Sequence, residues 1–146
     1  MLTAHSPISF LNSGEITGPR IWASGHSVGI TGGHCDDNFS PPEAKAKSSG
    51  VADGPWAVRA KVRENIKYGA NAIKFCATGG VFSKGTKVGV QQYSLEEMKA
   101  IVEEAHMRDL PVAAHAHGTS GIKTAIIAGV DSVEHASFLD DEAIAL

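Results

Sequence analysis

Cysteine is scarce in this chain of 146 residues: Cys35 and Cys76 are the two, they lie far apart, and they form no CxxC pair. That excludes a disulfide framework and fits a reducing compartment. Long apolar runs are also missing, and none approaches the roughly 18 residues a membrane-spanning helix needs. Thirteen Lys and Arg stand against 16 Asp and Glu, for a net charge of −3, and no five like charges adjoin. Neither an acidic tail nor a nucleic-acid footprint is present, so nucleic acid and membrane are not expected partners. Low-complexity segments and sequence repeats are absent. Residues 1–18 carry no basic region followed by an apolar stretch of leader length, which fits the cytoplasm if Met1 is the true start and otherwise leaves localisation open.

What remains is a composition suited to a packed domain: 42% hydrophobic and 20% charged residues. Histidine stands out at seven residues. Four of them sit in Gly-flanked or extended segments rather than on helical faces.

The apolar pattern alternates between strand-like and helix-like stretches. PRIWASG (19–25), opened by Pro and closed by Gly, predicts a buried strand. Residues 26–53 are rich in Gly, Pro, Ser, Asp and His and predict a long loop, a type that is often functional. Asp53 is then the expected N-cap of a helix with Pro55 in its first turn, Val58, Val62 and Ile66 on one face, and Gly69 as its stop. Residues 72–76 (AIKFC) predict a second strand. After a Gly-containing loop, Ser94 and Glu97 match a capping box ahead of a face formed by Met98, Ile101, Val102 and Ala105. PVAA (111–114) predicts a third strand, residues 121–129 a short helix, SVEH (132–135) a fourth strand, and residues 139–146 the start of another helix. Strands alternating with helices imply a parallel sheet covered by helices.

In parallel α/β folds, chemistry sits where loops converge at the carboxyl ends of the strands. Those ends carry Lys74, then His115 and His117, then His135. Period-two alternation aims His115 and His117 to the same side. A single strand-end histidine is more often a satisfied core or surface residue, and a single lysine more often snorkels. Four such groups on three consecutive strands are costly to bury without partners, and imidazole is the commonest metal ligand. The joint pattern therefore predicts a metal site.

The segments AIKFCATGG, PVAAHAHG and DSVEHAS, in that order and preceded by PRIWASG and ITGGHCDD, resemble the metal-dependent amidohydrolase superfamily. Within it they are most similar to imidazolonepropionase-like enzymes and Xaa-Pro or Xaa-Arg/Lys dipeptidases, and the likeness runs over residues 18–146. It implies an α/β fold: part of a TIM-type (β/α)8 barrel, strands 3 to 6 with their helices. Residues 1–146 would then be the central, incomplete part of a catalytic barrel, with PRIWASG as its third strand. The implied activity of the parent protein is hydrolysis of amide, peptide or cyclic-amide C–N bonds by metal-activated water. One or two divalent cations, zinc foremost, would be held by Lys74 as a CO2-derived carbamate, by His115 and by His135. His117 would face substrate or stand behind the ligands. His34 and Asp36 would line the pocket, and Gly79 and Gly80 would admit a close approach of substrate. The implied substrate is a small molecule or dipeptide.

The chain departs from the family pattern in two ways. No HxH pair precedes Lys74, since His5, His26 and His34 have no such partner, and no strand-eight Asp follows His135 to act as general base. The 146 residues alone are therefore expected to be inactive, and the open sheet edges of a partial barrel predict self-association. Two other readings compete: a non-catalytic barrel fragment with residual metal affinity, and a Schiff-base aldolase using Lys74 as nucleophile. The aldolase reading leaves the three histidines without a role.

Overall fold

A computed structural model describes residues 7–146. The elements run α1 (Pro7–Asn12), a 3-10 turn (Pro42–Ala44), α2 (Pro55–Lys67), β1 (Ile73–Cys76), α3 (Leu95–His106), β2 (Val112–Ala116), α4 (Thr119–Ala128), β3 (Ser132–His135) and α5 (Asp141–Ala145). The three strands form one parallel sheet in the order β1-β2-β3. Register pairs Ile73 with Val112 and Cys76 with His115, then Ala113 with Ser132 and Ala116 with His135.

Alternation divides the sheet into two faces. Ile73 and Phe75 of β1 and Val112, Ala114 and Ala116 of β2 are almost fully buried, in one core with Val58, Val62, Met98, Ile101 and Ile122 from the helices. Lys74, Cys76, Ala113 and His115 alternate with them and present the opposite face. The core thus fixes the orientation of the residues that carry chemistry, since a one-residue slip would reverse every side chain.

Local signals set most boundaries. Ser94 caps α3 in a capping box: its hydroxyl accepts from Glu97 N at 3.3 Å while Glu97 Oε2 accepts from Ser94 N at 2.9 Å. Gly69 (φ 93) and Gly129 (φ 95) end α2 and α4 in left-handed conformations, which glycine adopts without steric cost.

Two expectations are corrected. Residues 19–25 form no strand; Trp22 is 60% exposed, and Ile21 O accepts side-chain bonds from Asn12 Nδ2 and Asn71 Nδ2 instead. The chain meets β1 three residues later, in a parallel bridge of Val28 with Phe75, so among the described residues three strands form where four were expected. Asp53 does not cap α2, whose N-cap is Gly54 without a side-chain bond. The Asp53 carboxylate accepts from Thr31 N at 2.9 Å and Thr31 Oγ1 at 2.6 Å, tying the long loop down, while Gly54 N donates to Glu97 Oε1.

Candidate metal centre

His115 lies at the end of β2, 6% exposed, and its Nε2 is buried without a hydrogen-bond partner. An unpaired buried donor or acceptor costs free energy, so this nitrogen marks a place where a partner is wanted. His117, two residues on, stands edge-on at 4.8 Å between ring centroids, as alternation predicts. His117 Nδ1 lies 2.7 Å from Ser137 Oγ, and its backbone N donates to Thr78 Oγ1 at 3.0 Å. That pairing leaves Nε2 of His117 as its open nitrogen.

His135 completes the group by breaking the rule that governs its strand. Register sets it beside Ala116 on the helix-facing side, yet its ring lies 4.8 Å from both His115 and His117. Left-handed backbone at His135 (φ 73) and Ala136 (φ 46) ends β3 and turns the imidazole back across the strand tip. Each of these three histidines offers a ligand nitrogen, and the three lie within 4.8 Å of one another.

A fourth imidazole, His34, stacks on His115 at 4.3 Å with 19° between planes. It comes from the long loop, where His34 Nδ1 lies 2.7 Å from Ser83 Oγ and His34 N donates to Gln92 Oε1 at 3.1 Å. Burial, followed by the neighbouring His34, His117, His135 and Lys74, pushes His115 down to about 3. Burial likewise lowers His34 and His117. Neutral imidazoles keep the lone pair that a metal ligand requires.

Lys74 lies on the same face and forms an ion pair with Glu134, reached across β2 above the small Ala113. Burial lowers the Lys74 amine, with the Glu134 carboxylate acting in the opposite sense.

The fold brings together the imidazoles of His34, His115, His117 and His135, while Lys74 lies on the same sheet face, paired with Glu134 and within electrostatic reach of His115. Asp36 braces the loop instead, its carboxylate accepting from the backbone N of Gly32, Asp37 and Ser48. At Gly79 a Cβ would meet Lys87 O at 2.2 Å, and at Gly80 it would meet the His34 ring at 2.4 Å, so the protein's own groups fill the space beside both glycines. His26 is exposed, and His5 lies outside the described residues. Sequence reasoning missed Glu134, Ser83 and Ser137. Glu134 and Ser137 flank His135 in the DSVEHAS segment, whereas Ser83 reaches its histidine from 49 positions away.

The family profile described as "Amidohydrolase family" matches residues 9–146. The chain belongs to the amidohydrolase family. It is 40% identical over 147 residues to an ochratoxinase of Aspergillus niger, covering 90% of this chain and 31% of that protein. Among solved structures, a Xaa-Pro dipeptidase with methionine bound in its active site superposes with a TM-score of 0.85 at 42% identity, covering 94% of this chain and 35% of the other. The A. niger ochratoxinase structure gives 0.82 at 38% identity, covering 92% of this chain and 35% of the other. This amidohydrolase chain therefore spans about a third of the length of these relatives.

The two cysteines also require correction. The structure joins Cys35 to Cys76 in a disulfide with Cα atoms 6.4 Å apart. The fold supplies the proximity that their spacing in sequence hides.

Proposed function

We propose that this chain carries part of the metal centre of a hydrolase that cleaves amide or peptide C–N bonds, with Lys74, His115 and His135 as ligands. The buried, unpartnered Nε2 of His115, set among the nitrogens of His117 and His135, carries the reading. Imidazole nitrogens suit a borderline cation such as zinc. A divalent cation held there supplies Lewis acidity and lowers the pKa of water toward neutrality.

The remaining roles belong to the protein's own groups. Burial lowers the Lys74 amine, which eases loss of a proton to solvent from its ion pair with Glu134 and gives the neutral form that adds to CO2. In that addition an N–C bond forms, and one amine proton passes to the Glu134 carboxylate beside it, leaving an anionic carbamate as oxygen ligand. His117, fixed through Nδ1 by Ser137, presents Nε2 to the substrate. His34, fixed through Nδ1 by Ser83, does the same from the loop side. Gly79 and Gly80 keep the rim low by letting Lys87 O and the His34 ring pack against bare backbone.

The relatives named ochratoxinase and Xaa-Pro dipeptidase support a small-molecule or dipeptide substrate. We assign turnover to the longer protein. For the 146 residues alone we expect cation binding with little or no amide hydrolysis. Among the described residues the outer edge of β3 has no partner strand, and self-association is expected to run through it.

Carbon-13 NMR of the chain in labelled bicarbonate with zinc tests the lysine role. A carbamate resonance that disappears in K74R is expected. An unlabelled Lys74, with zinc bound as tightly in K74R as in the parent, would remove Lys74 from the ligand set.

A further inference from the structure

Cys35 directly follows His34, and Cys76 is the last residue of β1, in register with His115. Their bond therefore runs beside the stacked pair of His34 and His115. Its Cα separation of 6.4 Å lies within the range that disulfides span. The backbone opposite is shaped to receive Cys35: a Cβ on Gly29 would sit 2.7 Å from the Cys35 Cβ. His34 belongs to an irregular loop. His34 is otherwise held by the Ser83 and Gln92 hydrogen bonds and by packing of its ring on Gly80, and the loop around it by the Asp53 and Asp36 hydrogen bonds, none of them covalent. The disulfide alone fastens this loop covalently to the strand beside His115.

We propose that the Cys35–Cys76 bond is a redox-controlled tether: it holds His34 against His115, and thiol–disulfide exchange at this bond decides whether His34 is presented to the imidazole cluster. Cys76 is 2% exposed, whereas Cys35 is half-buried, so exchange enters at the Cys35 sulfur. The co-reactant is a low-molecular-weight thiol of the glutathione class. Its thiolate attacks Cys35 Sγ, an S–S bond forms there, and Cys76 leaves as a thiolate that takes up a proton. A second external thiolate attacks the outer sulfur of the mixed disulfide and releases Cys35, which is protonated in turn. Two external thiols are oxidised to one external disulfide, and the protein bond is reduced by two electrons to two thiols. Oxidised thiol of the same class drives the reverse.

The inference rests on the histidine stack and the sulfur bond, not on cation binding, and its test uses metal-free protein. The full chain, with ring-labelled histidine, is equilibrated in oxidised and then in reduced glutathione. In each state the His34 to His115 ring NOE is recorded, and alkylation followed by intact mass counts the free thiols. The expected result is no alkylation and a clear NOE when oxidised, two alkylated cysteines and a lost NOE when reduced, and recovery on reoxidation. C35S and C76S should both behave as the reduced form. Should either variant fail to fold, in-situ reduction of the parent protein gives the same readout. Two reactive thiols in oxidised glutathione, or an NOE that survives full reduction, overturns the proposal. So does global unfolding on reduction, seen as loss of the β2 and β3 amide signals, which would make the bond a staple of the whole fold.

Discussion

His135 stacks on His117 with 4.8 Å between ring centroids and 12° between planes, although strand register sets it on the opposite face of the sheet beside Ala116. Two successive non-glycine residues in left-handed conformation, His135 and Ala136, make this possible. Such residues are uncommon and concentrate where surrounding structure over-determines them. Here the local cost brings the imidazole of the third strand to those of the second.

Replacing His135 with Asn separates ligand loss from backbone loss, because Asn tolerates positive φ. H135N is expected to keep the cooperative unfolding of the parent while zinc affinity falls more than about 100-fold, beyond the loss typical of an outer partner. Calorimetric zinc titration beside a urea melt checks both parts.

Protons should compete with folding through His115. Its folded value is lowered from 6.5 to about 3, so below 6.5 the unfolded chain takes a proton that the folded chain refuses. Stability is therefore full above 6.5 and declines as pH falls toward 3. The drop from pH 7 to 5 is expected to be on the order of 1–2 kcal/mol, with His34 and His117 adding to the same slope. Urea unfolding at the two pH values should show a smaller difference in H115Q than in the parent protein.

Between α2 and α3 the Arg63 guanidinium grips Glu104 through Nε and Nη2 at 2.7 and 2.8 Å. The Glu104 side chain is 2% exposed, and the Arg63 hydrogen bond holds its carboxyl below the usual glutamate range. This contribution is present above the ordinary value of 4.5 and is lost as pH falls through the lower folded value. R63A leaves the buried Glu104 carboxylate with only Arg59 Nη1, 3.6 Å away, and is expected to lower stability at neutral pH, read from the shift in urea midpoint at constant slope.

Gly80 makes room for His34. A methyl there would sit 2.4 Å from the ring, so G80A should displace the imidazole, abolish its ring NOE to His115, and destabilise the chain by about 1–3 kcal/mol. An unaltered NOE in a normally stable G80A protein would contradict this packing.

Features set by near neighbours were readable from sequence. The Ser94 capping box, strand β3 at SVEH, and the common side of His115 and His117 each follow from residues a few positions apart. Features set by distant partners were not. PRIWASG reads as a buried strand, but among the described residues no neighbouring strand pairs with it and Trp22 stays exposed. Asp53 reads as a cap, but Thr31 takes its carboxylate. The turn of His135, the stack of His34 on His115 and the pairing of Cys35 with Cys76 all depend on tertiary contacts that no spacing rule encodes. The candidate site was thus visible as a set of strand ends, while the groups that hold its rings, Ser83 and Ser137, emerged only with the fold.

Zinc binding to the 146-residue chain, measured by isothermal titration in the parent protein and in H115Q, decides whether the strand-end imidazoles form a metal centre. Binding in the parent that weakens more than about 100-fold in a folded H115Q protein is the predicted result. Equal zinc affinity in the two proteins would contradict it.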